Sequence, residues 1–267
     1  MDNNFFTEEE KQIEHDFLER GYHIFEIESF DLLENVKNTT FNWAKQLLTL
    51  DSKTNRDHFF DNTHQFITPE NLNSFKVKMI EQMVNAHDLR SKVFNLSKFH
   101  LNTIVGNELC MQRALNLSIQ MPNDDKSLLP MHSDVWSGNS PYEVVFWLPL
   151  TNCYKTRSMF ILPLERNQTF LENIKNYANL SVSEIYDSLK SDFIWLDIPY
   201  GHGIIFSHTL MHGNTLNIED GTRWTFNCRF KSLMTPYGNK QLGESFLPIT
   251  IKPITRIGHN YIHPTLK

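Results

Sequence analysis

Three cysteines in 267 residues, Cys110, Cys153 and Cys228, are too few and too scattered to frame a fold by disulfides. Reduced thiols in a cytoplasmic protein are the expectation. Long hydrophobic runs are also missing. No stretch reaches the roughly 18 consecutive apolar residues that a membrane-spanning helix needs. The opening Met1-Asp2-Asn3-Asn4 is polar and acidic, without the apolar centre of a secretory signal. Nor is there a block of like charge. The net charge is −6 and the pI about 6.0, so general electrostatics gives no hold on nucleic acid. No internal repeat and no linker-like composition divides the chain. With 40% hydrophobic residues it can bury a full core, and a single domain over 1–267 is expected.

What is present begins with helix signals. Thr7 and Glu10 make a capping box ahead of Ile13, Phe17 and Leu18, and Gly21 is placed to stop that helix. Residues 22–27 read as a strand. Residues 30–50 read as a helix with Leu32, Leu33, Val36, Phe41, Ala44, Leu47 and Leu48 at core spacing. The polar segment 51–70, with His58, Phe59, Phe60 and His64, reads as a solvated connection, with a loop bordering an active site as the alternative. Helix returns over 70–100 through Phe75, Val77, Met79, Ile80, Met83, Val84, Val93 and Phe94. Residues 1–108 are thus expected as a mostly helical buttress for a sheet.

From Leu109 the texture turns to β. Residues 115–120 alternate strictly, with Leu115, Leu117 and Ile119 on one face and Asn116, Ser118 and Gln120 on the other. A polar strand face is ordinarily solvated. Here a chemical motif follows so closely that the face is expected to wall a cavity. The motif is His132-Ser133-Asp134. In an extended segment its i, i+2 spacing points both side chains the same way. Two imidazoles and one carboxylate can take three corners of one face of a metal ion. The second imidazole must come from far along the chain, from His208 or His212. Ten residues separate His212 from Arg223, and Thr225 lies on the same side of that strand as Arg223. A guanidinium fork with a hydroxyl is a good clamp for a carboxylate.

The intervening segments fit one architecture. Residues 144–150, which include Trp147, are almost wholly apolar and read as a buried strand. Residues 157–163, 193–199, 204–208 and 224–230 read as further strands. Residues 164–191 form a polar, mostly helical insertion, and 236–267 an extended surface arm. Short strands after a helical half predict a mainly β fold with flanking helices: a double-stranded β-helix, the cupin-like jelly roll, with its core over 109–235.

The joint pattern resembles the 2-oxoglutarate/Fe(II)-dependent oxygenases. The runs HSDVWSGNSPYEVVFWLPL and GHGIIFSHTLMHGNTLNIEDGTRWTFNCR are similar to the phytanoyl-CoA-hydroxylase-like branch, and within it to bacterial oxygenases of carbohydrate-biosynthesis clusters. The likeness covers residues 112–230. It implies Fe(II) on His132, Asp134 and His212, because the family spacing selects His212 and leaves His208 as a neighbour that orients a ligand. It implies 2-oxoglutarate with its far carboxylate on Arg223 and Thr225, flanked by Trp147 and Asn214. Gln120, on the polar strand face, is grouped with them. It implies O2 as the second cosubstrate and hydroxylation of a C–H bond, with release of succinate and CO2. Related halogenases lack the carboxylate so that chloride can bind iron, and Asp134 argues against that reaction.

Asn116, Trp136, Arg157 and Arg229 offer hydrogen bonds, stacking and positive charge to a small polar substrate. The resemblance points to a sugar or sugar conjugate. Two other classes fit the same residues. In a metal-dependent cupin enzyme that uses no 2-oxoglutarate, Arg223 and Thr225 are an ordinary strand pair. In a non-catalytic jelly-roll carbohydrate-binding module, the metal site is vestigial. Metal content separates the module from the enzymes, and succinate formation separates the two enzymes.

Overall fold

In the computed structural model, which describes residues 5–264, the first helix starts where its capping box predicts. The polar start at residues 1–4 lies outside the described residues. Thr7 accepts from the Glu10 amide while the Glu10 carboxylate accepts from that of Thr7, opening α1 (Glu8–Arg20). Gly21 closes it at φ 78°, where an added Cβ would also strike Leu210. Ile13 is buried, but Leu18, five positions on and so round the side of the helix, is exposed.

Next come β1 (Tyr22–Glu26) and α2 (Phe30–Leu48), which buries Leu33, Val36, Phe41 and Ala44. The segment 51–70 is not a solvated connection. It folds as α3 (Arg56–Asp61), capped by the Asn55 side chain, and drives Phe59 and Phe60 fully into the core. Pro69 opens α4 (Pro69–Asn85), whose Leu72, Phe75, Met79 and Met83 are buried while Val77, Ile80 and Val84 face outward. Two short helices, α5 (Leu89–Asn95) and α6 (Lys98–Ile104), finish the helical half.

The strands follow: β2 (Leu109–Gln112), β3 (Asn116–Gln120), β4 (Glu143–Pro149) and β5 (Phe160–Ile161). The insertion holds α7 (Leu164–Glu172) and α8 (Val182–Leu189). Then come β6 (Ile194–Trp195), β7 (His202–Ser207), β8 (His212–Gly213), β9 (Arg223–Ser232), β10 (Phe246–Pro248) and α9 (Pro253–His259). The larger sheet runs β1-β7-β4-β9-β2-β10, with β3 also on β9, and the smaller runs β6-β5-β8. All named pairings are antiparallel.

Two expected boundaries shift. β1, from the helical half, forms an edge of the larger sheet on β7. The tail is not simply a surface arm, because β10 pairs with β2 and Phe246 is fully buried beside Cys110 and Leu233.

The long strand β9 organises the interior. Trp224, Phe226, Cys228 and Phe230 point into the core under the helices. Arg223, Thr225, Asn227 and Arg229, at the alternate positions, share the opposite face. β4 obeys the same rule. Val144, Phe146 and Leu148 join the helix-side core, whereas Val145 and Trp147 pack with Ile161, Leu196 and Phe206. Both faces of β4 are covered, which is why its sequence is apolar throughout. The three cysteines are buried free thiols. Among the described residues, no helix is long and apolar enough to cross a membrane.

Candidate metal site

An isolated antiparallel bridge sets the site. His132 and His212 exchange both backbone hydrogen bonds at 2.9 Å. Their rings lie 4.4 Å apart, centroid to centroid. The His132 Nδ1 lies 2.8 Å from the Pro130 carbonyl and the His212 Nδ1 2.9 Å from that of Leu210. A carbonyl only accepts, so each Nδ1 carries the hydrogen, and in the neutral ring each Nε2 then has its lone pair free for a cation. Asp134 opens a short 3-10 turn, Asp134–Ser137, with Oδ1 3.9 Å from the His132 Nε2. One ligand atom from each of these three residues lies within 4.8 Å of the others, so they can converge on one ion.

The electrostatics prepare the donors. Burial raises the Asp134 carboxyl, but Arg229, His208 and His212 outweigh it and hold the pKa at about 2. Burial, helped by His132, holds His212 down at about 4, so it stays a neutral ligand. His208 does not join the cluster. It is fully buried behind Asp134, with Nε2 3.5 Å from Oδ2 and Nδ1 3.3 Å from the Glu143 carboxylate. Burial pushes it to about 3 against the pull of Asp134.

A cavity of about 110 Å³ is lined by these three side chains together with Arg223, Trp147 and Asn214. Arg223 is only 3% exposed. One guanidinium nitrogen donates to the Ser158 carbonyl at 2.6 Å and another lies 3.5 Å from the Ser118 hydroxyl. Among the described residues it meets no carboxylate. Burial and the nearby Arg157 lower its pKa to about 10, so it remains a cation at neutral pH. Trp147 lies 6.0 Å from the guanidinium, ring centroid to Cζ. The Thr225 hydroxyl, two residues on, is fully buried and has no hydrogen-bond partner among the described residues. A buried cation and a buried hydroxyl, each short of a partner on one strand face, fit a bound anion.

The other predicted residues divide. Asn214 lines the cavity and also fixes its rim, accepting from the Leu129 amide at 2.6 Å. Gln120 is buried but off the cavity lining, donating to the Thr215 carbonyl at 2.7 Å. Thr225 is also off that lining, paired in register with Ser118 and Pro149 on the neighbouring strands. Asn116 is also off it and donates to the Asn227 side chain at 2.8 Å. Trp136 is half-exposed beside Phe170 of α7, carried outward by the 3-10 turn. Arg157 turns away from the cavity to Asp61 and the Thr222 carbonyl, filling space that only a glycine at 221 leaves. Arg229 lines the cavity, but its guanidinium is engaged by Asp134 at 2.8 Å.

Eight lining residues were not among those singled out as ligands, Ser118, Met159 and Asn227 among them. Ser118 lies on the polar face of β3, and Asn227 is two positions past Thr225, so period-two alternation carries a signal for both. Met159 carries none, since nothing local says that β5 closes the cavity.

No protein-family model matches the chain, and no curated protein sequence matches it. Solved structures do. ThoJ, a non-heme monooxygenase in complex with nickel, is 14% identical, with 90% of this chain and 84% of that one covered and a TM-score of 0.51. SnoK, a non-heme alpha ketoglutarate dependent carbocyclase from nogalamycin biosynthesis, is 13% identical over 92% and 97% of the two chains, with a TM-score of 0.50. AviO1 from Streptomyces viridochromogenes Tue57 is 12% identical over 87% and 99%, with a TM-score of 0.51. At these identities the likeness is one of fold.

Proposed function

We propose that this chain is a 2-oxoglutarate/Fe(II)-dependent oxygenase of the phytanoyl-CoA-hydroxylase-like branch, built as a single jelly-roll domain and working in the cytoplasm. Its reaction is hydroxylation of a C–H bond in a small polar substrate, a sugar or sugar conjugate, with release of succinate and CO2. One observation carries the reading. Arg223, a buried guanidinium that meets no acid among the described residues, lines the same small cavity as three converging side chains that could hold a metal. Leaving such a charge unpaired would cost several kcal/mol, so the site is built to receive an anion. A cation site beside an anion clamp matches Fe(II) with a dicarboxylate. The fold likeness to a nickel-bound monooxygenase and to an alpha ketoglutarate dependent carbocyclase supports the same conclusion.

His132 and His212 would hold Fe(II) through Nε2, and Asp134 through a carboxylate oxygen. Arg223 would hold the far carboxylate of 2-oxoglutarate, with the Thr225 hydroxyl gaining the partner it otherwise lacks. When bound, Fe(II), 2-oxoglutarate and O2 supply the oxidising power for C–H cleavage. The chain supplies position and dryness. Val145, Trp147, Met159 and Phe206 give the cavity apolar walls that exclude water from reactive groups. The two Nδ1–carbonyl bonds hold the imidazoles in ligand form. Trp136, exposed beside the 164–191 insertion, is the proposed stacking surface for a sugar ring, in place of Asn116 and Arg157.

Succinate release with Fe(II), ascorbate and 2-oxoglutarate tests this, using sugars and nucleotide sugars against amino acids and phosphonates. The expected result is succinate above background with a member of the sugar set, and a product heavier by one oxygen. Metal-dependent conversion of a sugar without succinate would instead favour a cupin enzyme that uses no 2-oxoglutarate.

A further inference from the structure

We infer that Arg229 is a positioning residue for Asp134, fixing that carboxylate as a one-oxygen metal ligand. This rests on the metal-centre reading above. Both of its terminal nitrogens are already taken by groups of the protein. One Nη donates to the Asp134 Oδ1 at 2.8 Å, and the other to the Gln112 side-chain oxygen at 3.2 Å. The charged pair sits at the cavity wall with little exposure, and there a charge-assisted bond is strong.

The carboxylate has a neighbour on each side, bonded on one and only near on the other. Oδ1, the oxygen 3.9 Å from the His132 Nε2, takes the Arg229 bond, while Oδ2 faces the His208 Nε2 at 3.5 Å. A carboxylate oxygen has lone pairs for two partners, so Oδ1 can serve Arg229 and a cation together. Turning both oxygens onto the cation would break the contact on the His208 side. Asp134 is therefore set to offer one oxygen, which keeps other coordination positions free.

The contrast with Arg223, six positions earlier on the same strand face, sharpens the assignment. Arg223 meets no acid among the described residues, as suits a diffusible anion. Arg229 already holds a resident one. Gln112 comes from β2, the neighbour of this end of β9, and does not line the cavity. Its role is to hold the far side of the guanidinium.

The test is Co(II) titration of the full chain, followed by visible absorption, for the parent and for Arg229→Gln, Arg229→Lys and Gln112→Leu. Loss of an outer partner of a metal ligand typically weakens metal binding about 10–100-fold, and that loss is expected for Arg229→Gln with an altered Co(II) band. Arg229→Lys should recover part of the affinity, and Gln112→Leu should lose less in the same direction. Folding of each variant is checked by its melting temperature. Parent-like Co(II) affinity in Arg229→Gln overturns the inference, as does parent-like affinity in Arg229→Lys and Gln112→Leu should Arg229→Gln not fold. A parent that binds no Co(II) overturns the metal-centre reading and this inference together.

Discussion

His132 and His212 are oriented by one device used twice: each Nδ1–H donates to the backbone carbonyl two residues before it, Pro130 or Leu210, on either side of the bridge that joins them. The rings are therefore aimed before any cation arrives. His208, whose two ring nitrogens face Asp134 and Glu143, is not. His212→Ala is expected to abolish tight Fe(II) binding, whereas His208→Ala should weaken it about 10–100-fold, the usual effect of losing an outer contact. Titration of the two variants with Fe(II) under nitrogen distinguishes them. Equal losses would place His208 among the ligands.

Thr225 gives a prediction in which stability and binding move apart. Its buried hydroxyl has no partner among the described residues, so Thr225→Val should leave the melting temperature of the free protein unchanged or raised. The same change should weaken 2-oxoglutarate binding about tenfold or more, the scale of a hydrogen bond to a charged group. Calorimetric melting with and without 2-oxoglutarate reads both quantities.

Much of this site is legible in the sequence, because it depends on period and spacing. The i, i+2 pair His132 and Asp134, and the alternation that puts Arg223, Thr225 and Arg229 on one face of β9, are local facts. So is the capping box of α1. What is not legible is set by partners from elsewhere in the chain. Nothing near Arg157 says that Asp61 and the Thr222 carbonyl will draw it away. The face of Arg229 is readable, but its acid, Asp134, becomes its neighbour only through the fold. α3 escapes notice because a helix of six residues has too few turns to show a period. Val77, Ile80 and Val84 mislead for the opposite reason, since α4 is apolar on more faces than it buries.

The misread segment 51–70 supports β9, the strand that carries Arg223 and Thr225. Phe60 is fully buried with its ring 5.1 Å from that of Trp224, and the indole N–H donates to Thr63 at 2.7 Å. Trp224 lies between Arg223 and Thr225. Phe60→Ala should cost about 3–5 kcal/mol in urea unfolding, the range for emptying a buried aromatic site. It should also weaken 2-oxoglutarate binding, although Phe60 does not line the cavity.

A pH effect follows from His100, stacked on Phe25 at 3.8 Å with Nδ1 unpartnered. Burial, together with the neighbouring His23, lowers its pKa from 6.5 to about 4. The folded state thus binds fewer protons than the unfolded state between these values, so stability rises with pH there. His100's contribution is fully present above 6.5 and is lost as the pH falls toward 4. Melting temperatures measured across this window should fall less steeply on acidification in His100→Phe than in the parent. An unchanged slope would remove His100 as a cause.

The most direct measurement is an anaerobic titration of the Fe(II)-loaded chain with 2-oxoglutarate, followed by the weak visible absorption of the chelate. The expected result is a saturable band in the parent, no band in His212→Ala, and a band in Arg223→Ala that appears only at much higher 2-oxoglutarate. Fe(II) binding without any band in the parent, or an Arg223→Ala titration identical to it, would contradict the pairing of this metal site with a dicarboxylate clamp.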